Sequence, residues 1–132
     1  MAKETSLSDA TTASGAERRR SDRLLIPVEL RRPRDAAPPV AADDVSGHGL
    51  RFTAREPLAE NAAIALSMAF PEPTMAGIDV TCRVVWCRKT GDGSYQAGVR
   101  FEAMAAEDRR RYVAWFCDHL IRAQLDIEER RS

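Results

Sequence analysis

Apolar and polar residues alternate with a period of two in several short segments along the first three quarters of the chain. Such alternation is typical of β-strands with one buried face. The strands that it predicts cover residues 24–31, 40–45, 50–53, 64–70, 80–87 and 95–101. Thr90-Gly91-Asp92-Gly93 precedes the last of them and has the composition of a hairpin turn, while Pro27 suits an edge or a strand start. Closely spaced antiparallel strands of this kind predict a small barrel or a sandwich.

The period changes to three or four residues after Glu102. The positions with this spacing are Tyr112, Phe116, His119 or Leu120, Ala123 and Ile127. They predict one helix over residues 106–129 with a single apolar stripe. Glu107 and Asp108 suit the positive end of its dipole. We expect this helix to cover one opening or face of the β-structure.

At 132 residues the chain fits one domain. Residues 1–16 are rich in Ser, Thr, Ala and Asp and lack an apolar centre, so they predict a disordered tail and not a targeting peptide. No apolar run approaches the roughly 20 residues of a membrane span. These features predict a cytoplasmic protein with no membrane span.

Three cysteines, Cys82, Cys87 and Cys117, show no CxxC spacing. An odd number of thiols without a secretion signal favours a reducing compartment, in which we expect three small buried thiols. Cys82 and Cys87 lie five residues apart on a predicted strand, so their side chains are expected on opposite faces. This spacing argues against a shared metal site, and we predict no metal.

The charges balance, with 20 basic and 20 acidic residues, which argues against bulk attraction to nucleic acid or to an anionic membrane. Lys3 and Lys89 are the only lysines, so 18 of the 20 basic residues are arginines. This bias fits either a GC-rich genome or a need for forked, bidentate donors. We expect no nucleic-acid polymer as a partner, and any anionic ligand must be bound locally.

Two short segments combine charge with hydrogen-bonding groups. One is the arginine cluster Arg18-Arg19-Arg20-x-x-Arg23, and the other is the turn Asp44-Val45-Ser46-Gly47-His48-Gly49. Neither is distinctive by itself, because arginines four residues apart are expected by chance in a chain this rich in arginine. The predicted hairpin between them returns Asp44 to the side of Arg23. Together they predict a receptor for an anionic ligand that also has hydrogen-bonding edges.

With these residues, the chain resembles the PilZ domain family, the bacterial receptors for cyclic di-GMP. The RxxxR element of that family matches Arg19 and Arg23. The (D/N)xSxxG element matches Asp44, Ser46 and Gly49. The similarity extends to Val84-Val85-Trp86, Gly98-Val99-Arg100-Phe101 and the closing helix, and so covers about residues 17–125.

The fold implied by the resemblance is mainly β, a six-stranded antiparallel PilZ-type β-barrel with a C-terminal α-helix. Residues 17–130 would form this single PilZ-like domain. Within it, the resemblance implies a ligand-binding arm at 17–24, the barrel at 24–102 and the helix at 106–129.

The function implied is binding of cyclic di-GMP, with no cofactor and no catalytic activity. Arg19 and Arg23 would clasp phosphate oxygens or the guanine O6/N7 edge, or stack on a purine. The Asp44 carboxylate would accept the guanine N1 and N2 donors, and Ser46 would add a polar contact. Gly49 would let the backbone approach the ligand or adopt a positive φ. Asp44 and Ser46 also suit the simpler role of capping a turn.

Further candidates have two interpretations each. Arg20 belongs either to the ligand-binding cluster or to a solvated charged segment. His48 contacts a phosphate or faces solvent, and Trp86 lies in the core or flanks a guanine. Arg18 directly precedes RxxxR, and family members with this extra arginine tend to bind two mutually intercalated ligand molecules. The resemblance therefore implies an intercalated dimer of cyclic di-GMP.

The resemblance also implies that the ligand orders residues 17–24 and so changes a surface read by an unidentified downstream protein, in control of motility or biofilm formation. The alternative is a PilZ-like adaptor that binds a protein without nucleotide. An RNA-binding arm has little support, because the net charge is zero and no aromatic residues interleave with the arginines. An enzyme has least support, since no nucleophile–base constellation or Walker-type loop is present in the sequence.

Overall fold

The structure is a computed structural model that describes residues 22–34 and 37–131, with Arg131 described only in its backbone. Three predicted ligand-binding residues, Arg18, Arg19 and Arg20, lie outside the described residues. The tail predicted over residues 1–16 also lies outside them.

Six strands form a closed antiparallel barrel in the order β1-β2-β3-β6-β5-β4. They are β1 (Glu29–Arg31), β2 (Val40–Val45), β3 (Gly49–Ala54), β4 (Ala63–Ala69), β5 (Ile78–Lys89) and β6 (Tyr95–Met104), and one helix, α1 (Ala106–Arg131), follows. The predicted class is confirmed: the fold is mainly β, with a C-terminal helix. Pairing of β1 with β4 closes the sheet, which decides between the barrel and the sandwich.

The core consists of the alternate side chains that point into the barrel. They are Val28, Leu30, Val45, Leu50, Phe52, Ile64, Leu66, Met68, Ile78, Val80, Cys82, Val84, Ala97, Val99 and Phe101. Full burial of one such large apolar side chain contributes about 1.5–3 kcal/mol. The period-two pattern of the sequence therefore reports the inward face of the strands correctly, in β5 only as far as Val84.

The strand predicted over residues 24–31 is much shorter in the structure. Only β1, Glu29–Arg31, joins the ladder, and Leu24 makes an isolated bridge to Val45. Pro27 lies between them and has no N–H to donate, so a continuous strand across it would lose a ladder hydrogen bond. The incoming chain thus touches β2 at two separate places.

A bulge in β5 reverses the side-chain alternation. Val84 pairs with Val99, but Trp86 pairs with Gly98, so one residue of β5 is extra at this point. As a result Cys87 packs against the core while Trp86 points outward. The expectation that Cys82 and Cys87 occupy opposite faces was therefore wrong. Only Cys82 is fully buried, whereas Cys87 and Cys117 are partly buried, so the expectation of three buried thiols was also wrong.

Helix α1 packs its first half on the barrel. Its buried side chains are Tyr112, Trp115, Phe116 and Leu120. Trp115, which the predicted stripe omitted, lies 4.8 Å from the Phe70 ring between centroids. Trp115 and His119 both contact the Glu72 carboxylate, at 2.8 Å and 2.5 Å. The predicted stripe continued to Ile127, but that residue is 48% exposed, and Leu120 is the last buried side chain of the described part of α1.

Within the described ranges, no helix is long and apolar enough to cross a membrane.

Candidate ligand-binding site

A row of directly paired residues crosses four strands on the outside of the barrel. Asp44 of β2 pairs with Arg51 of β3, which pairs with Gly98 of β6, and Gly98 pairs with Trp86 of β5. The residues that follow or precede them in β2 and β3 are buried in the core, so this cross-strand row faces outward. The barrel thereby brings an acid, a base and an aromatic ring from distant parts of the sequence onto one surface.

The Asp44 side chain has arginine donors on both carboxylate oxygens. Arg23 Nη1 lies 2.6 Å from Oδ1, and Arg51 Nε lies 2.6 Å from Oδ2. Arg51 Nη2 also donates to Oδ2. The residue is only 3% exposed, which is unusual for an acid and requires such partners. Asp44 is thus the buried anion at the centre of two arginine contacts.

Arg23 reaches Asp44 because the chain is fixed to β2 directly after it. The Leu24 amide donates to the Val45 carbonyl at 2.8 Å, and the Val45 amide donates back at 2.9 Å. The prediction that the first hairpin returns Asp44 to the side of Arg23 is confirmed. The remaining arginines of the cluster precede this point of attachment.

Two opposing effects act on the pKa of Asp44. Burial favours the neutral acid and raises the pKa, but the hydrogen bonds and positive charges of Arg51 and Arg23 lower it by more. The pKa of Asp44 therefore lies below its ordinary value. At neutral pH the site presents an ionised carboxylate with an arginine donor on each oxygen.

Ser46 organises the turn between β2 and β3. Its Oγ accepts hydrogen bonds from the amides of His48 and Gly49, each at 3.2 Å, and its carbonyl accepts one from the Tyr112 hydroxyl at 2.6 Å. The turn-capping interpretation thus describes Ser46 in this structure. It does not describe Asp44, whose side-chain contacts go to the two arginines.

Gly49 is required by the barrel itself. A Cβ at this position would lie 2.0 Å from the Val99 carbonyl oxygen, which belongs to the backbone of β6. Gly93 is the residue with positive φ among the described glycines, so of the two roles considered for Gly49 the positive φ is excluded. Close packing of β3 on β6 explains the glycine without any ligand.

His48 and Trp86 both face the outside. His48 is exposed, and its carbonyl accepts a hydrogen bond from the Phe101 amide at 2.7 Å. The Trp86 indole lies over Gly98, where a Cβ would come within 2.3 Å of Nε1. The Arg88 guanidinium carbon lies 4.8 Å from the centre of the indole. Of the two interpretations of Trp86, the core position is excluded.

Comparison with known families identifies the domain. The model of the PilZ domain matches residues 17–117, which is more than half of the chain. The chain belongs to the PilZ domain family. None of the curated protein sequences matches it.

Solved structures share the PilZ fold. The inhibitor of motility MotI/DgrA from Bacillus subtilis is 15% identical with a TM-score of 0.59, over 79% of this chain and 50% of that one. The K. pneumonia MrkH–c-di-GMP complex is 20% identical with a TM-score of 0.63, over 83% of this chain and 55% of that one. MrkH in its apo state is 20% identical with a TM-score of 0.62, over 83% of this chain and 53% of that one. This PilZ domain therefore spans about half the length of these proteins.

Arg51 and Arg88 are members of the candidate site that the sequence interpretation missed. No motif in the sequence singles out Arg51. The register of the β2–β3 hairpin, which sets it opposite Asp44, is the signal that identifies it. Arg88 follows Trp86 by two residues on the same strand, so the two share a face.

No group of three potential metal ligands occurs in the part of the PilZ domain that the structure describes. The site instead offers guanidinium groups, one buried carboxylate and one indole. Such groups suit a planar, anionic ligand with hydrogen-bonding edges.

Proposed function

We propose that this PilZ domain is a receptor for cyclic di-GMP. The observation that carries the proposal is the cross-strand row, in which the Asp44 carboxylate and the Trp86 ring share one surface with Arg51. Cyclic di-GMP has two phosphates and two guanines, and each of these groups has a matching partner in the row or in the arm. The named partner of the solved MrkH complex, c-di-GMP, supports this choice of ligand.

The arm arginines and Asp44 would bind different groups of the ligand. The arm arginines Arg19 and Arg23 would bind phosphate oxygens or the O6/N7 edge of guanine through bidentate hydrogen bonds. The Asp44 carboxylate would accept hydrogen bonds from guanine N1 and N2, two donors that lie side by side. Ser46 would hold the turn at the distance that this contact requires.

We propose that ligand binding exchanges one of the partners of Asp44. Arg23 Nη1 occupies Oδ1 at 2.6 Å, the oxygen that a guanine donor would use. Arg51 lies on β3 and can keep Oδ2, whereas Arg23 lies before the first strand and can turn to the ligand. The ligand would thus replace Arg23 at Asp44 and gain Arg23 as its own phosphate or base contact.

Trp86 would flank a guanine with its half-buried indole ring. Aromatic stacking on a base contributes about 1–3 kcal/mol. Arg88 already lies over the indole and would make the same kind of contact with a purine. His48 is exposed beside the turn, where it would reach a phosphate.

Several arm arginines must engage together. Ordering one residue costs about 1–2 kcal/mol, whereas a charged hydrogen bond returns about 1.5–3 kcal/mol. We infer that residues 17–24 become ordered on the ligand, and that this ordering is the signal read by a downstream protein. Control of motility or biofilm formation is the output that we propose, and no catalytic activity is part of it.

Calorimetric titration of cyclic di-GMP tests the receptor function. Binding to the wild type is expected at tens of micromolar or below, and Arg23→Ala or Asp44→Ala is expected to abolish it. Arg55→Ala is the matched control, because this exposed arginine lies past the far end of β3 and should leave the affinity unchanged. A wild-type protein that binds no cyclic di-GMP at these concentrations would refute the proposal.

The titration also gives the stoichiometry. We propose two intercalated ligands per protomer, on the basis of Arg18 directly before the RxxxR element. Arg18→Ala should reduce two ligands to one and retain binding. A wild-type stoichiometry of one ligand per protomer would remove the intercalated dimer but not the receptor function.

A protein adaptor that binds no nucleotide is the second candidate. It is favoured by the satisfied state of Asp44, which has hydrogen-bond donors on both oxygens without any ligand. Affinity capture from the native host with and without cyclic di-GMP separates the two functions. A partner retained equally in both, by a protein with no calorimetric signal, would support the adaptor.

A further inference from the structure

Strand β4 has an open edge on one side of the barrel. β1 closes the barrel on β4 but has only three residues, which pair with residues 67–69. Since β4 begins at Ala63, residues 63–66 extend past the end of β1. An edge of this kind presents main-chain donors and acceptors with which another strand can pair.

The hydrogen-bond pattern of β4 shows which groups face this edge. The Val84 amide donates to the Ala62 carbonyl at 2.9 Å, directly before β4 begins. Hydrogen bonds in an antiparallel ladder recur at every second residue, so the next residue bonded to β5 is Ile64. The N–H and C=O groups of Ala63 and Ala65 therefore point the other way, to the open edge.

Pro33 interrupts the ladder between β1 and β4. Continuation of the register beyond the pair of Arg31 with Ser67 places Pro33 opposite Ala65. Proline has no N–H, so it cannot donate to the Ala65 carbonyl. Among the described residues, no main-chain hydrogen bond joins the turn after β1 to Ala63 or Ala65.

The corresponding edge of β2 is covered by the chain itself. β2 also extends past β1, at the opposite end. There the Ala42 amide donates to the Val28 carbonyl at 2.8 Å, and Val45 exchanges two hydrogen bonds with Leu24. Of the two described strands beside β1, β4 is thus the one with an open edge.

A cleft of about 840 Å³ lies at this edge. It is lined by turn residues 32–34, by residues 63–66 of β4 and by Thr81 of β5. Ala63 and Ala65 are exposed and have only methyl side chains, which leaves room for larger side chains of a neighbouring strand. The volume of the cleft is within the range of ligand pockets.

We propose that the open edge of β4 binds an extended acidic segment of a partner protein, which adds a strand beside β4. Main-chain hydrogen bonds to Ala63 and Ala65 supply the affinity, as in other cases of strand addition. Arg34 lines the cleft and is exposed, so it pairs with a glutamate or aspartate of that segment. The edge selects an extended backbone, and the arginine selects its charge.

The charges beside the cleft argue against a second copy of this chain as the occupant. Arg31 and Arg34 are both exposed where β1 leads into the turn. Pairing of two β4 edges about a two-fold axis would bring both turns to one interface, where their arginines would repel each other. The acidic residue in the lining, Asp79, already accepts a hydrogen bond from Ser67 at 2.7 Å. These charges favour an acidic partner.

Binding of a short segment is expected to be weak. The segment makes two main-chain hydrogen bonds with Ala63 and two with Ala65. A dissociation constant on the order of 1 mM follows for a peptide. The proposal is independent of cyclic di-GMP, and its test uses no nucleotide.

Amide hydrogen exchange of the full chain tests the open edge without any partner. The amides of Ile64 and Leu66 should exchange slowly, because they bond to β5. Those of Ala63 and Ala65 should exchange far faster. Equal protection of all four amides would show that the edge is already paired, which would overturn the proposal.

NMR titration with a peptide tests the occupant. The probe is an acetylated and amidated hexapeptide of alternating glutamate and valine. Its addition should shift the amide resonances of Ala63 and Ala65 and slow their exchange. Two control peptides should bind at least about fivefold more weakly. One has lysine in place of glutamate and is repelled by Arg34, and the other is N-methylated at every amide and cannot donate.

Two variants change the edge and its charge. Ala65→Pro removes the N–H that faces the open edge and keeps the ladder with β5, a position where strands tolerate proline. It should weaken binding of the glutamate peptide by more than about tenfold. Arg34→Glu should weaken this binding by about fivefold and favour the lysine peptide. Arg130→Glu, the same charge change on an exposed residue of α1, is the matched control and should leave binding unchanged.

The proposal is overturned if the glutamate peptide shifts no resonance of β4 at millimolar concentration. It is also overturned if Arg34→Glu and Arg130→Glu bind this peptide equally, since charge would then not select the segment. Shifts of Ala63 and Ala65 with protein concentration alone would assign the edge to a second copy instead. Circular dichroism checks that Ala65→Pro is folded, and Arg34→Glu decides the test if it is not.

Discussion

At the scale of single residues, Arg51 decides how Asp44 is presented. It lies directly opposite Asp44 in the β2–β3 register and uses both Nε and Nη2 on the same oxygen. Arg23, in contrast, holds the other oxygen from a part of the chain outside the ladder. In the proposed function Arg51 would position Asp44, and Arg23 would be the partner that the ligand displaces.

Replacing Arg51 by Gln should change the pH dependence of ligand binding. In the wild type the depressed pKa of Asp44 keeps the carboxylate ionised until the pH falls below the ordinary range of aspartate. Without Arg51 the burial effect is less compensated, so the pKa rises and binding is lost at a higher pH. Affinity at neutral pH should also fall on the order of tenfold. Calorimetry over about pH 7 to 4 measures both effects.

Arg83→Gln is the control for this prediction. Arg83 makes a comparable pair with a carboxylate, Glu102, at 2.6 Å on the outer surface. Its loss should leave the pH profile of binding in place. Coincident profiles for Arg51→Gln and the wild type would show that Arg51 does not act through Asp44.

At the scale of elements, Gly49 and Gly98 lie on neighbouring strands and pack against different kinds of atoms. A Cβ at Gly49 meets the backbone of β6, whereas a Cβ at Gly98 meets the side chain of Trp86, at 2.0 Å and 2.3 Å respectively. Backbone in a closed barrel cannot move without breaking ladder hydrogen bonds. An indole on the outer surface can swing toward solvent.

Gly49→Ala should accordingly destabilise the fold by about 3 kcal/mol, the upper part of the range for overpacking. Gly98→Ala should cost less than about 1 kcal/mol and displace the Trp86 ring. Chemical denaturation measures the first effect, and the NMR signal of the Trp86 indole N–H reports the second. Equal destabilisation by both changes would contradict this distinction.

Helix α1 is tied to the turn between β2 and β3 through the Tyr112 hydroxyl. Tyr112→Phe removes the 2.6 Å hydrogen bond to the Ser46 carbonyl and leaves a buried acceptor without its donor. We expect a loss of about 1–3 kcal/mol in the free energy of unfolding. Tyr95→Phe, a partly buried tyrosine on β6, should cost less than about 0.5 kcal/mol. Denaturation midpoints of the two variants compare them directly.

At the scale of the whole molecule, the proposed function requires the arm and the barrel to respond to the ligand together. Addition of cyclic di-GMP should shift the amide resonances of residues 17–24 and of residues 44–49 together. Shifts in both segments are expected because one ligand would contact both the arm and the turn between β2 and β3. Shifts confined to residues 17–24 would indicate nonspecific binding of an anion by the arginines.

The sequence alone determined the class of fold and the position of both motifs. Local periods of two and of three to four depend on which side chains face the core, so they are visible without tertiary structure. They located the strands 40–45 and 95–101 and the helix within a few residues. The hairpin that joins Arg23 to Asp44 was predictable for the same reason.

The tertiary structure decided what the periods could not encode. The bulge in β5 turned Trp86 outward and Cys87 inward. An extra residue in one strand shifts its side-chain alternation relative to the partner strand, and the sequence of a single strand does not show this shift. The pairing of Asp44 with Arg51 depends on the register between strands, and the glycine at 49 depends on how closely β3 approaches β6. These features are relations between segments, so only the closed barrel fixes them.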